Sequence, residues 1–201
     1  MAGIALKNVK LLRFGGFCGI LGSTLSITLV LIATVLSPWF SWENNALSEM
    51  GVGEMSLLFN GAMLIGGILI FFFALGLREY LDGNRLTQVG VNLIIIASVF
   101  LALIGVFTFD MMMLHGIVSL GPLLLAPLGF VFIGFGTEES TIRKFGIVCG
   151  VAALFSILVL PMIILFLQFK VGFAVPEIIN TFITTVWLFG MGIKLIKHKN
   201  W

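Results

Sequence analysis

Apolar residues run along this chain in six blocks, each closed by charge, proline or a polar cluster. The blocks cover roughly residues 14–36, 57–77, 89–109, 116–136, 146–167 and 177–196. A helix that crosses a hydrocarbon layer needs ~20 mostly apolar residues, so each block can cross once. The runs are continuous rather than alternating, which argues against a barrel. Helices satisfy their own backbone without water. The pattern therefore predicts an all-α fold: a polytopic transmembrane bundle of six helices, forming one domain over residues 1–201.

The first block follows Lys7, Lys10 and Arg13, as a secretory signal would. It is too long for one, and no small-residue cleavage site closes it before Ser37-Pro38-Trp39. It reads as a retained helix. Between the blocks, Lys7, Lys10, Arg13, Arg78, Arg85, Arg143, Lys144, Lys194, Lys197 and Lys199 fall on one side, and Lys170 alone on the other. The excess of Lys and Arg marks the cytoplasmic side. Both termini are expected there, in a multi-pass protein of the cell membrane.

Composition agrees. The chain is 60% hydrophobic and 10% charged, with a mean hydropathy of +1.19. A soluble domain of this size would need a charged surface that this one lacks, so membrane lipid is the expected surrounding partner. The basic residues are spread over short segments beside the membrane, which gives nucleic-acid binding no support.

Within the blocks, Arg13-Phe14-Gly15-x-x-Cys18-Gly19 matches Lys144-Phe145-Gly146-x-x-Cys149-Gly150, 131 residues later. Both copies hold glycines four apart, a spacing that lets helix backbones approach closely. Gly15/Gly19 and Gly146/Gly150 are thus packing faces, and candidate surfaces for partner membrane subunits or a homo-oligomer. Cys18 and Cys149 are expected to be buried free thiols. Pairing them would require the first and fifth helices to touch. Pro122, Pro127 and Pro161 lie inside blocks and free carbonyls there, so the fourth helix, with two of them, should be the least regular.

One stretch breaks the apolar pattern. FSWENNALSEMGVGE, residues 40–54, gathers three carboxylates, two asparagines and two serines. Ser41 can cap a helix and Gly51 can end one. Between them Trp42, Ala46, Leu47 and Met50 share one face, with Glu43, Asn44 and Ser48 opposite, which predicts a short Trp-anchored interfacial helix in the first outer loop. Asn45, Ser48 and Glu49 would be its site-facing part. Asn60, Asp110, His115, Glu177 and Asn180 are expected at the same depth. Asp110 and His115 are joined by only Met111-Met112-Met113-Leu114, and a carboxylate beside an imidazole makes a proton-responsive pair. These eight residues form the candidate ligand-binding site, acidic and outward-facing. No catalytic residue, metal or cofactor is assigned from the sequence.

SPWFSWENNALSEMGVG followed by LLFNGAMLIGG resembles the archaeal and bacterial six-span proteins of domain-of-unknown-function family 998. The matching elements are Trp42, Asn45, Leu47, Ser48 and Gly51 in the loop, Leu58-Phe59-Asn60 opening the second helix, and Asp110 with His115. Met50 stands where leucine is commoner. The resemblance implies a six-helix fold and an outward polar cluster, and no particular activity. A more distant likeness to six-span lipid regulators of the Frag1/DRAM/Sfk1 kind leans toward lipid.

A non-enzymatic binding or regulatory protein fits these features best, its acidic pocket taking a lipid headgroup, a small cation or a partner. A zinc-dependent lipid hydrolase would want three protein ligands, usually including histidines, and the chain offers one outward histidine. A transporter would want charge near mid-membrane, where only Ser23, Ser26, Thr28, Asn92, Ser98, Ser156, Thr184 and Thr185 lie. An accessory subunit of a larger complex is the remaining alternative.

Overall fold

The structure, a computed structural model, describes residues 7–81 and 84–198. Its helices are α1 (Val9–Val35), α2 (Ser56–Tyr80), α3 (Arg85–Ile104), α4 (Met112–Leu120), α5 (Ala126–Gly136), α6 (Ser140–Leu158), α7 (Leu160–Phe166) and α8 (Ala174–Lys197). A 3₁₀ helix occupies Leu47–Gly51, and a π-helical segment, Gly121–Leu125, joins α4 to α5. Among the described residues there is no strand. Six stretches are long and apolar enough to cross a membrane: α1, α2, α3, Met112–Gly136, Ser140–Phe166 and α8. Consecutive spans pack side by side, and α8 returns to α1, so the six close into a ring.

The helices begin before their apolar blocks because polar caps precede them. The Asn8 side chain accepts the Leu11 N–H at 3.2 Å and that of Asn84 accepts the Thr87 N–H at 3.2 Å, each satisfying a donor that the first turn leaves unpaired. Basic residues therefore sit inside first turns rather than outside the helices. Lys7, Lys10, Arg13, Arg78, Arg85, Arg143, Lys144, Lys194 and Lys197 all lie at one end of the ring, the basic end. Lys199 lies outside the described residues. Glu43, Glu49, Glu54, Asp110 and Glu177 lie at the other, acidic end with Lys170.

The basic half is tightly closed. A Cβ on Gly15 would lie 2.9 Å from Gly76 Cα, one on Gly16 would lie 2.6 Å from the Gly192 carbonyl, and one on Gly90 would lie 2.6 Å from the Gly129 carbonyl. These contacts join α1 to α2, α1 to α8 and α3 to α5. Trp187 fills the middle, stacked on Phe130 at 4.0 Å and met edge-on by Phe73 at 6.4 Å. The predicted glycine pairs are used the same way: Gly19 faces the Phe73 ring, Gly146 the Phe130 carbonyl and Gly150 the Pro127 carbonyl. All four glycines are buried inside this chain, so they are not the exposed oligomer surfaces the spacing suggested.

Cys18 and Cys149 are free and buried. The first and fifth spans are not packing neighbours in the ring, which keeps the two thiols apart.

The acidic half is looser, and proline is the reason. Pro127 has no N–H for the carbonyl four residues back, and the fourth span widens into the π segment as its two prolines suggested. Pro161 acts similarly in the fifth span, which breaks at Val159 and continues as α7.

Candidate functional site

The first acidic-end loop is folded by its own polar groups. The predicted helix from Ser41 is not continuous. Residues 41–45 form a turn in which the Ser41 N–H donates to Asn45 Oδ1 at 2.8 Å, and only Leu47–Gly51 is helical, as a single 3₁₀ stretch. Asn45 draws the chain away from a helix because its side chain satisfies the backbone locally. Its Nδ2 donates to Glu49 Oε2 at 2.7 Å, and the Ala46 N–H donates to Glu49 Oε1 at 2.7 Å. Leu47 and Met50 turn inward and are buried, as expected, while Trp42, Glu43 and Asn44 are exposed.

This loop is then tied to the start of α8. The Leu47 N–H donates to Glu177 Oε2 at 2.6 Å. The Gly172 N–H donates to the Trp42 carbonyl at 2.8 Å and the Ala174 N–H to the Asn45 carbonyl at 3.0 Å. The far end of the loop is pinned by Asn60, whose Nδ2 donates to the Gly51 carbonyl at 3.0 Å. The Asn60 Oδ1 is buried without a partner among the described residues. A Cβ on Gly51 would lie 2.9 Å from that oxygen, so glycine is what fits there.

Beneath the loop lies a cavity of about 110 Å³. It reaches from Leu47, Ser48 and Glu177 at the acidic end down to Ser23, Ser26, Thr184, Thr185 and Leu188 in the middle of the bundle. The charged side chain in its wall is Glu177, with His115 the other titratable group there. Hydrocarbon from Val30, Met63, Ile70, Leu101 and Ile104 makes much of the rest. Among the described residues no lysine or arginine lines the space.

The hydroxyls of the wall are mostly committed as donors. Ser23 donates to the Gly19 carbonyl at 2.7 Å, Ser26 to the Gly22 carbonyl at 2.8 Å and Ser119 to the His115 carbonyl at 2.8 Å. Each retains acceptor capacity. Thr184 Oγ1 is buried with no partner among the described residues.

His115 is 6% exposed, and its Nδ1 lies 2.8 Å from the Phe107 carbonyl. A carbonyl only accepts, so Nδ1 carries a proton, and the ring's other nitrogen is left for the cavity. The expected Asp110–His115 pair does not form. Asp110 is exposed and accepts the Thr108 hydroxyl instead. The short Met111–Leu114 link enters the first turn of α4, which carries His115 inward and leaves Asp110 outside.

Asn180 has a structural duty. Its Nδ2 donates to the Ala153 carbonyl of α6 at 2.8 Å and to the Leu123 carbonyl of the π segment at 3.3 Å. Leu123 is the residue whose α-helical donor would have been the nitrogen of Pro127. Asn180 thus joins three spans where a proline leaves an acceptor open.

Of the eight sequence candidates, the cavity wall takes Ser48, His115, Glu177 and Asn180. Asn45, Glu49 and Asn60 hold the loop above it, and Asp110 stands apart. The wall also includes Ser119 and Thr181, for which the sequence carried no signal, and Ser23, Ser26, Thr184 and Thr185, legible only as scattered mid-span hydroxyls. Among the described residues, no three His, Cys, Asp or Glu side chains come together to hold a metal ion.

No curated protein and no solved structure matches the chain. A family described as protein of unknown function, DUF998, matches residues 20–194. With that match covering most of its length, the chain belongs to the DUF998 family of integral membrane proteins of unestablished function.

Proposed function

We propose that this protein binds, through the cavity beneath its first acidic-end loop, the ammonium-bearing head of a small amphiphile. The observation that carries this reading is the charge balance of the wall. Glu177 stands at the mouth, and among the described residues no lysine or arginine lines the space to answer it. A carboxylate in a space of low dielectric favours a positive partner strongly. The acceptor lone pairs of Ser23, Ser26 and Ser119 favour the same polarity, since an ammonium only donates. Positive-inside topology would set this mouth on the outer side of the cell membrane. The role is that of a binding or regulatory protein.

Size bounds the ligand. A cavity of about 150 Å³ accommodates benzene, and a water's share of liquid volume is about 30 Å³. A space of about 110 Å³ holds a head of several heavy atoms.

Decylamine tests this in nanodiscs, with decanol and decanoate as matched controls and ethylamine as the head without a chain. Decylamine is expected to raise the unfolding temperature of wild type and not that of Glu177→Gln. Ethylamine acting as well as decylamine would assign the site to a free organic cation. Equal stabilisation by decanoate would overturn the cationic reading.

A further inference from the structure

The cavity is smaller than any whole amphiphile, so a chain attached to a bound head has to leave it somewhere. We infer that the cavity opens sideways into the bilayer between α4 and α8, and that its ligand enters from the lipid phase through this portal; the inference rests on the binding reading above.

Three independent features point to that gap. The first is the path of the fifth span. In a closed ring its outer half would stand between α4 and α8. Instead the helix breaks at Val159, Pro161 follows, and α7 has no buried residue. Leu165 is 80% and Phe166 85% exposed. Among the described residues α7 packs on α6, which it continues, and not to any extent on α4 or α8. No residue of α6 or α7 lines the cavity. A second open space, about 360 Å³, separates α7 and its following loop from Pro176 at the start of α8.

The second feature is the free edge of α4. At 100° per residue, His115 and Ser119 share the cavity side, and Val118 turns toward α3, where it is buried in the cluster that holds Ile104. Met112, Gly116 and Leu120 turn the opposite way, to the side a closed ring would cover. Met112 is 70% exposed, and a Cβ on Gly116 would meet nothing within 4 Å. Among the described residues α4 packs on α3 and the π segment, and no other helix packs on it to any extent.

The third feature is the floor. Asn180 holds α8 to Ala153 of α6 and Leu123 of the π segment. That tie closes the wall at mid-bundle, so the gap is confined to the acidic half. A ligand using it would keep its chain among lipid tails and place only its head beside Glu177.

The test uses thiol labelling, which does not depend on the ligand's charge. Thr181, in the cavity wall, becomes cysteine in a Cys18→Ala, Cys149→Ala background, reconstituted in phosphatidylcholine vesicles. Two reagents compete: a long-chain alkyl maleimide dissolved in the bilayer, and an anionic methanethiosulfonate supplied on both sides. Val148→Cys, exposed on the outer surface of α6, checks reagent delivery to each folded variant. The alkyl maleimide is expected to label Thr181→Cys first, and Gly116→Trp to slow that labelling at least tenfold without changing the rate at Val148→Cys. Faster labelling by the anionic reagent, or no effect of Gly116→Trp, would overturn the portal. Portal labelling without decylamine binding would remove the head chemistry and keep the route; the reverse result would do the opposite.

Discussion

The carboxylate of Glu177 accepts the backbone N–H of Leu47 at 2.6 Å, across 130 residues of chain. One side chain on the last helix thereby helps to fix the height of the first loop, while among the described residues its second oxygen forms no hydrogen bond. The same group is a latch for the loop and the charge of the cavity mouth, and substitutions separate the two duties. Glu177→Gln keeps an acceptor for Leu47 and removes the charge, so the loop should stay closed while amine binding falls at least tenfold. Glu177→Ala removes both, and a hydrogen bond to a charged group contributes about 1.5–3 kcal/mol. Hydrogen exchange at the Ala46 and Leu47 amides distinguishes them: it should accelerate in the alanine variant only.

Asn45 and Glu49 act on the loop alone. Glu49→Ala frees the Ala46 amide and the Asn45 side chain together. Faster exchange confined to residues 41–51 is expected, with a loss of about 1–3 kcal/mol in the opening energy of that segment. Equal acceleration in α2 or α8 would instead mean that the loop supports the whole bundle.

Asn180→Leu should lower the unfolding free energy by about 1–3 kcal/mol, because the half-buried Leu123 carbonyl loses its side-chain donor. Pro127→Ala supplies a backbone N–H in the same neighbourhood. A double-mutant cycle measured by denaturation in detergent should therefore show the second substitution offsetting part of the first. Strictly additive effects would show that Asn180 does not answer the proline.

Trp187 is fully buried, stacked on Phe130 and met edge-on by Phe73. Trp187→Ala should cost about 3–5 kcal/mol, visible as a lower midpoint in the same denaturation assay. Gly116→Ala, which meets nothing, is the matched control and should leave the midpoint unchanged or slightly raised.

The two thiols give a redox prediction. Cys18 and Cys149 are buried on spans that are not neighbours in the ring. Alkylation should be slow in the folded protein and complete after denaturation, and the intact mass should show no loss of two hydrogen atoms under oxidising conditions. A disulfide found there would require a rearranged ring.

The sequence by itself determined the number of spans, the separation of basic from acidic ends and the irregularity of the fourth helix. These follow from composition averaged over a turn or more: about 20 apolar residues must cross, charge must stay out, and proline cannot donate. It also pointed to Ser48, His115, Glu177 and Asn180, because polar groups stand out in apolar runs. Only the tertiary structure decided what those groups do. Asp110 and His115 are close in sequence, yet one helical turn places them in different environments. Leu47 and Glu177 are far apart in sequence, yet they form the latch. Asn180 reads as a ligand group in a list of polar residues and becomes a clamp once α6 and the π segment stand beside it. The cavity itself belongs to no segment. It exists because glycines close the seams of one half of the ring while Pro127 and Pro161 loosen the other, and that balance depends on which helices become neighbours.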